Sequence, residues 1–254
     1  MSDKTTVIMH IFNEEYLLPF WLNHHKDLFD DGIIIDYRST DRSIEICKEI
    51  CPEWTILTSK NLDFNANNVD REVMYIESNV EGIKMVLNVT EFVIFEKPLK
   101  EIFKEHLSRP VAFGIQTTTP YSNLEYNPEN TIDLFKYLLN HDFTFHRDRS
   151  NRYVHNYKDG LYHLGRHDTY HHSTITTDAH LVWFGYYPLN EQLLTRKLQI
   201  KQHVPYSDIE QKRGFQHLFD KEKMLEINKE KTSTGIRLQE LSPGVYRYLS
   251  EKYS

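Results

Sequence analysis

Apolar residues in the first half of the chain alternate between short continuous runs and segments with helical spacing. Continuous runs are typical of strands buried on both faces, and here they cover residues 5–12, 32–37, 54–58 and 83–89. Residues that start or stop helices, such as Pro19, Pro52 and Gly82, bound the helical segments between these runs. This alternation predicts an α/β fold whose mostly parallel sheet is flanked by helices.

The second half of the chain is less regular. A short helix is predicted over residues 99–107 and a strand over residues 111–117. Residues 121–180 are rich in Asn, Asp, Tyr and His and predict long loops and short strands around a site. Further helices are predicted over residues 188–200 and 215–231. The 254-residue chain has no internal repeat or low-complexity linker, so we expect one domain, 1–254, with a loop- and helix-rich C-terminal region.

Composition excludes several classes of protein. Thirty Lys and Arg stand against 37 Asp and Glu, and the formal net charge of −7 argues against nucleic-acid binding. No apolar run approaches the roughly 20 residues that a transmembrane helix needs, and we expect no secretory signal. We therefore expect a cytoplasmic protein, either free or peripheral to a membrane. Cys47 and Cys51 are interpreted as buried packing residues, with half of a metal site as the alternative.

Polar and acidic residues follow the predicted strands at the points where they end. They are Asn13, Glu14 and Glu15, then Asp36 and Asp41, then Asn88, Thr90 and Glu91. Ligands of parallel sheets bind beyond the carboxyl ends of the strands, so this rim suggests a nucleotide held through its base and ribose. Neither a G-x-G-x-x-G motif nor a P-loop occurs, and the chain has only nine Gly.

The motifs at the first two strand ends resemble those of a known family. The first strand leads into N-E-E and a helix with W-L-x-H-H, within IFNEEYLLPFWLNHH, and the second ends in D-x-x-S-T-D, within GIIIDYRSTDRS. Together with the later segment WFGYYPLNEQLLTRKLQI, they are similar to family 2 glycosyltransferases over about residues 7–218.

This resemblance implies a GT-A fold and inverting transfer of a sugar from a nucleoside-diphosphate sugar to a glycan or lipid-linked acceptor. About residues 1–120 would form the nucleotide-binding half and about 121–254 the acceptor and catalytic half. Carried over, the residues that hold the nucleobase and ribose are Phe12, Asn13, Glu14 and Asp36. Arg71 stands where the family often has a basic residue near the diphosphate.

The chain departs from the family at the end of the fourth predicted strand. The family's D-x-D carboxylates bind Mg²⁺ or Mn²⁺, but Asn88 and Thr90 replace both Asp, and only Glu91 keeps a carboxylate. Hard cations prefer several oxygen ligands, so Mg²⁺ or Mn²⁺ bound at Glu91 is one alternative. The other is neutralisation of the diphosphate by cationic side chains.

An inverting transfer needs a general base that takes the proton of the acceptor hydroxyl. The resemblance implies an Asp or Glu well downstream of the D-x-D position and near a helix start. Glu191 fits this description best, and Asp178 and Asp208 are the alternatives.

Eight of the 14 His lie between positions 141 and 180. Most of them are interpreted as structural residues packed with Tyr and Phe, and the cluster has two functional interpretations besides. Arg166 and protonated His167 are able to bind phosphate oxygens without a metal. Alternatively, His172 belongs to a metal site of a metal-dependent hydrolase, although the spacing matches no standard zinc signature. A non-catalytic nucleotide- or carbohydrate-binding homologue is a further alternative, suggested by the lost D-x-D. Trp183, Tyr186 and Tyr187 have two interpretations: they stack on the acceptor sugar, or they pack in the core.

Overall fold

The computed structural model describes residues 2–106, 108–123, 134–187, 189–200, 203–211 and 218–253. Within these ranges, the strands are β1 (Thr5–Ile11), β2 (Asp31–Asp36), β3 (Thr55–Thr58), β4 (Ile83–Leu87), β5 (Glu91–Phe95), β6 (Ala112–Tyr121), β7 (Thr144–His155), β8 (Ser173–Ile175) and β9 (Ala179–Trp183). All of them belong to one sheet in the order β3-β2-β1-β4-β7-β6-β9-β5, with β8 paired to β6.

The described helices flank this sheet. They are α1 (Leu18–His25), α2 (Ser43–Ile50), α3 (Ala66–Glu77), α4 (Leu99–Phe103), α5 (Leu134–Asn140), α6 (Glu191–Ile200), α7 (Tyr206–Glu210), α8 (Lys221–Thr234), α9 (Leu238–Leu241) and α10 (Pro243–Tyr253). No described helix has the length and apolar character needed to cross a membrane.

The parallel part of the sheet brings three strand ends to one edge. Strand β1 pairs in parallel with β2, where Ile11 lies opposite Asp36, and with β4, where Met9 lies opposite Leu87. The pairings β2–β3, β6–β8 and β6–β9 are also parallel, whereas β4–β7, β6–β7 and β5–β9 are antiparallel. The predicted α/β fold, with a mostly parallel sheet flanked by helices, is confirmed.

The prediction for residues 121–180 was wrong in part, because this region contains the long strand β7. Two of its polar side chains, Arg152 and His155, are buried against Glu91 and Glu77 rather than exposed. These inward polar residues hide the apolar alternation by which a strand is recognised in sequence. Strand β5 was also missed, because it follows β4 after only three residues. Parts of the predictions over 99–107, 188–200 and 215–231 lie outside the described residues.

Helix α1 takes the place of a neighbouring strand at the free edge of β5, the last strand of the sheet. Trp21 Nε1 donates to the Glu91 carbonyl at 2.9 Å, and His24 Nε2 lies 2.7 Å from the Val93 carbonyl. The Val93 N–H donates to His25 Nε2 at 3.2 Å. The W-L-x-H-H segment therefore satisfies backbone groups that a strand edge would otherwise leave unpaired.

Cys47 and Cys51 are buried on α2 and at its end, as predicted. Burial raises the pKa of the Cys47 thiol to about 12 and that of Cys51 to about 11. Thiols in this state pack as small apolar groups and are poor metal ligands, because the thiolate is the ligating form.

Candidate functional site

The loops after β1 and β2 are tied together at the carboxyl edge of the sheet. The Asn13 N–H donates to Ser39 Oγ at 3.0 Å, and Asn13 Oδ1 accepts from the Thr40 N–H at 2.8 Å. Asp36 Oδ1 accepts from the Ser39 N–H at 2.9 Å, and no described residue donates to its other oxygen. Asn13 and Arg38 have φ values of 51° and 63°, so both loops hold strained backbone, as is common at functional sites.

Aromatic rings form a surface beside these loops. The Phe12 ring lies 4.5 Å from the His203 ring and 5.5 Å from the Phe64 ring, centroid to centroid. Tyr37 stacks on Phe64 at 5.0 Å. The Phe64 N–H donates to the His203 carbonyl at 3.2 Å, which joins the segment before α7 to the one before α3. We call Phe12, Tyr37, Phe64 and His203 the aromatic wall.

Glu14 holds helix α6 against the end of β1. Arg196 Nη2 donates to Glu14 Oε1 at 2.6 Å, Arg196 Nε donates to Oε2, and both side chains are buried. Burial raises the pKa of the Glu14 carboxyl, and the Arg196 charge opposes this shift. Gln199 Nε2 also donates to the Asn13 carbonyl at 2.9 Å. That Glu14 holds the donor stays a prediction; its carboxylate here is engaged by Arg196.

Glu91 and Asn88 meet Arg152 at the end of β4. Arg152 donates to both Glu91 oxygens, from Nε at 2.9 Å and from Nη2 at 2.6 Å. Asn88 donates to the same carboxylate from its N–H at 2.8 Å and from Nδ2 at 3.0 Å. Burial alone would raise the pKa of the Glu91 carboxyl, but Arg152 and the Asn88 N–H hold it below its ordinary value.

Arg166 is the second guanidinium at this edge. Its Nη1 donates to Asp70, and its Nη2 donates to Asn88 Oδ1 at 2.9 Å. The neighbouring Gly165 N–H donates to the other Asp70 oxygen at 2.7 Å. Arg166 has a φ of 60°, and its buried Nε has no hydrogen-bond partner among the described residues.

Sequence reasoning missed three residues of this cluster, which are His10, Asp70 and Arg152. For Asp70 a signal existed, because helical spacing places it on the inward face of α3 with Val73 and Glu77. His10 lies on β1; burial first, then the Arg166 and Arg152 charges, hold the pKa of its imidazole well below the ordinary value. Nothing in the sequence pairs Arg152 with Glu91, 61 positions away.

The described residues at the D-x-D position do not fit Mg²⁺ or Mn²⁺. A divalent ion there would have to displace Arg152 from Glu91 and Arg166 from Asn88. Thr90 Oγ1 accepts from the Trp183 indole N–H at 3.0 Å and is therefore also engaged. Two fixed guanidinium cations already occupy the oxygen ligands that a hard cation requires.

The histidine cluster is dispersed among separate contacts. His163 stacks on Tyr170, and His171 stacks on Tyr157. His172, a predicted metal ligand, is exposed. Across the described ranges, no group of three or more His, Cys, Asp or Glu side chains is arranged to hold a metal ion.

His167 keeps a place beside the candidate site. Its Nδ1 lies 2.8 Å from Arg152 Nη1. Because guanidinium groups only donate, Nδ1 is the acceptor and the neutral ring carries its hydrogen on Nε2. In that tautomer the donor nitrogen of the exposed His167 side chain is Nε2.

Arg71 does not face this cluster. It lines a cleft of about 480 Å³ between β2, β3 and α3, together with Thr58 and Asn61 at the end of β3. Its neighbour Asp70 points instead to Arg166. The cleft lies on the same side of the sheet as the aromatic-wall residue Tyr37, with Ile35 as one of its lining residues.

The three candidate bases lie in different places. Asp178 forms an ion pair with Lys97 at 2.8 Å. It lies just before β9, at the end of the β5–β9 pair that is about 13 Å from Glu91, at roughly 3.3 Å per residue along the strand. Asp208 is buried and accepts from the Ala66 N–H at 2.9 Å, at the first turn of α3. Glu191 begins α6 and is 75% exposed, with Lys221 at 2.5 Å.

Helix α6 also places a lysine over two aromatic rings. Lys197 Nζ lies 4.7 Å from the centroid of the Tyr186 ring and 5.9 Å from that of Trp183. Gly185 permits this turn, because a Cβ there would lie 2.2 Å from the Trp183 ring. Tyr187, in contrast, is fully buried in the main core.

No protein-family model and no curated protein matches the chain. Among solved structures, it is similar to S. aureus TarS 1–349 in complex with UDP, at 15% identity and a TM-score of 0.40 over 60% of this chain and 46% of that chain. It is also similar to glucosyl-3-phosphoglycerate synthase from Mycobacterium tuberculosis in complex with Mn²⁺, UDP and glucosyl-3-phosphoglycerate, at 15% identity and a TM-score of 0.33 over 60% and 56%. The chain thus spans about half the length of these structures. Similarity at this level assigns no function, which must come from the residues of the site.

Proposed function

We propose that the chain is a glycosyltransferase that moves a sugar, with inversion, from a nucleoside-diphosphate sugar to a glycan or lipid-linked acceptor. One observation carries this proposal: Asn13, Asp36 and Asn88 meet at one edge of the sheet, beside the Arg166 guanidinium. Acceptor groups for a base and ribose therefore adjoin cationic groups for a diphosphate.

The nucleoside would lie between Asp36 and the aromatic wall. Asp36 keeps one carboxylate oxygen to which no described residue donates, and a ribose hydroxyl or a base N–H is a suitable donor. Phe12 and His203 offer ring faces and edges for a base. In this proposal the strained loops after β1 and β2 hold the Asn13 and Asp36 groups ready before the ligand arrives.

The diphosphate would lie at the end of β4. Because the side chains there do not fit a divalent cation, its charge has to be balanced by protein donors. Arg166, held by Asp70 and Asn88, and the Nε2 donor of His167 lie at this edge. Charge-assisted hydrogen bonds from guanidinium and imidazole to phosphate oxygens are about twice as strong as neutral ones.

The transfer would be a single displacement. The acceptor oxygen attacks the anomeric carbon from the face opposite the diphosphate, which departs with the electron pair of the broken C–O bond. Glu191 would take the acceptor proton, since it is an exposed carboxylate on the helix that Arg196 fixes to β1. Asp178 is less suitable because it lies at the other end of β5.

A thermal-shift screen of nucleoside diphosphates and nucleotide sugars tests the proposal. A ligand at a hundredfold excess over its dissociation constant stabilises the folded state by about 2.7 kcal/mol. We expect at least one nucleoside diphosphate to raise the melting temperature, and Asp36→Asn to reduce the shift. If no nucleotide stabilises the protein, the proposal is wrong.

The replaced D-x-D favours one alternative, a homologue that binds a nucleotide sugar without transferring it. Incubation with the stabilising nucleotide sugar distinguishes the two. An active transferase releases nucleoside diphosphate, by transfer or slow hydrolysis, whereas a binding protein leaves the donor intact.

A further inference from the structure

Lys197 is a largely enclosed cation without a matching anion among the described residues. Its Nζ lies over the Tyr186 and Trp183 rings, and no described residue accepts a hydrogen bond from it. The carboxylate nearby, Glu14, has both oxygens engaged by the adjacent residue Arg196. Burial lowers the pKa of the Lys197 ammonium to about 7, with the Arg196 charge as the second cause.

Lys197 and the loop between β4 and β5 contact the same indole ring, that of Trp183. Lys197 Nζ lies over the Trp183 ring, and the indole N–H of Trp183 donates to Thr90 Oγ1 at 3.0 Å. Trp183 also lies opposite Glu91 in the pairing of β9 with β5. Lys197 therefore belongs to the same edge as Asn88 and Thr90, although it comes from a helix more than a hundred residues later in the chain.

The two guanidinium groups at this edge differ from Lys197 in their charge balance. Arg152 is matched by Glu91, and Arg166 is matched by Asp70, so each pair is neutral. Among the described residues, the Lys197 ammonium contacts aromatic rings and no hydrogen-bond acceptor, so burial leaves it without the acceptors that water would provide. An incoming anion would supply those acceptors, and its hydrogen bonds with the ammonium would replace the ones with water that burial has removed.

Resting on the proposed function, we propose that Lys197 binds the diphosphate of the donor and stabilises it as it leaves, in the role that a divalent metal has in D-x-D enzymes. When the bond between the anomeric carbon and the diphosphate oxygen breaks, the electron pair stays on that oxygen. Lys197 donates hydrogen bonds to the phosphate oxygens and keeps its proton, while the acceptor proton goes to the base. The ammonium thus offsets charge that develops during transfer.

Lys197→Met tests this proposal, because Met keeps an unbranched apolar stem of four heavy atoms and removes the ammonium group with its charge and N–H donors. Lys252→Met is the matched control: Lys252 also lies over aromatic rings, 5.3 Å from the Tyr253 centroid and 5.9 Å from that of Tyr248, but on α10. Calorimetry would compare each of the four common ribonucleosides with its diphosphate on the wild type and both variants.

We expect the wild type and Lys252→Met to bind one diphosphate more tightly than its nucleoside. In Lys197→Met this preference should fall about tenfold or more while nucleoside affinity is kept, and Lys197→Arg should restore part of it. An unchanged preference in a folded Lys197→Met protein overturns the inference and leaves the proposed function standing. Absence of binding by every nucleoside and diphosphate to the wild type overturns the proposed function itself.

Discussion

Arg196 and Glu14 are separated by 182 positions and form a buried two-point ion pair between helix α6 and the end of β1. The helix that carries Glu191 and Lys197 is therefore fixed to the loop after β1, which also carries Asn13. Gln199, one turn further along α6, adds a hydrogen bond to the Asn13 carbonyl. The two halves of the proposed site are joined by this contact.

We predict that Arg196→Met destabilises the protein by about 3–5 kcal/mol, because removing one partner of a buried pair leaves the other charge uncompensated. Urea unfolding gives this value, and hydrogen exchange should show faster exchange of the α6 amides. Lys223→Met, which breaks the exposed pair with Glu226, should leave stability nearly unchanged, because solvent screens such a pair. If both variants unfold at the same urea concentration, the buried pair does not have this role.

The positions of the polar strand ends could be predicted from the sequence. The apolar runs over residues 5–12, 32–37 and 83–89 end close to Asn13, Asp36 and Asn88, and parallel pairing brings these strand ends to one edge. Asn13, Asp36 and Asn88 are found there for that reason. The hydrogen-bond partners of the carboxylates could not be predicted. Asp36 keeps an oxygen to which no described residue donates, whereas Glu14 accepts from Arg196, which is distant in the sequence.

The cationic side of the site lay beyond the sequence because its members come from distant segments. Arg152 lies on β7, whose buried polar residues hide the apolar alternation by which a strand is recognised. Its partner Glu91 begins β5, which follows β4 too closely to be recognised as a separate strand in the sequence. Lys197 looks like an ordinary solvated lysine in the polar TRK segment of α6. Only the turn at Gly185, which brings Trp183 and Tyr186 beneath Lys197, distinguishes it.

Nucleoside-diphosphate binding should be independent of divalent metal. Glu91 and Asn88 are already engaged by Arg152 and Arg166, so a cation would gain few ligands at a large electrostatic cost. We expect dissociation constants in EDTA and in Mn²⁺ to agree within about twofold, measured by calorimetry. A large gain in affinity with Mn²⁺, lost in Asn88→Ala, would show that a metal does bind at this edge.

Loss of the general base should slow transfer without weakening donor binding. We predict that Glu191→Gln lowers kcat by about 10²–10⁴, the usual contribution of such a base, and leaves the donor dissociation constant unchanged. Asp178→Asn serves as the control, because its carboxylate pairs with Lys97 at the opposite end of β5. Equal rates for Glu191→Gln and the wild type would exclude Glu191 as the base.

Acidification should loosen α1 from the edge of β5. Burial lowers the pKa of His24 to about 4 and that of His25 well below its ordinary value, and a hydrogen bond to Val93 only partly offsets this for His24. Both imidazoles are therefore neutral when folded, whereas in the unfolded chain they titrate near pH 6.5. The unfolded state binds more protons below about pH 6.5, so their contribution to stability is complete above that pH and declines as the pH falls.

The expected loss is about 1 kcal/mol for each histidine at about pH 5.5, where the unfolded imidazole is mostly protonated and the folded one is not. Unfolding free energies between about pH 8 and 5 give this slope. His24→Gln keeps a donor for the Val93 carbonyl and removes one titrating group, so its stability should vary less steeply with pH than that of the wild type. His141→Gln, at an exposed histidine that follows α5 rather than lying on α1, is the control. Identical slopes for His24→Gln and the wild type would mean that His24 is not held neutral against β5.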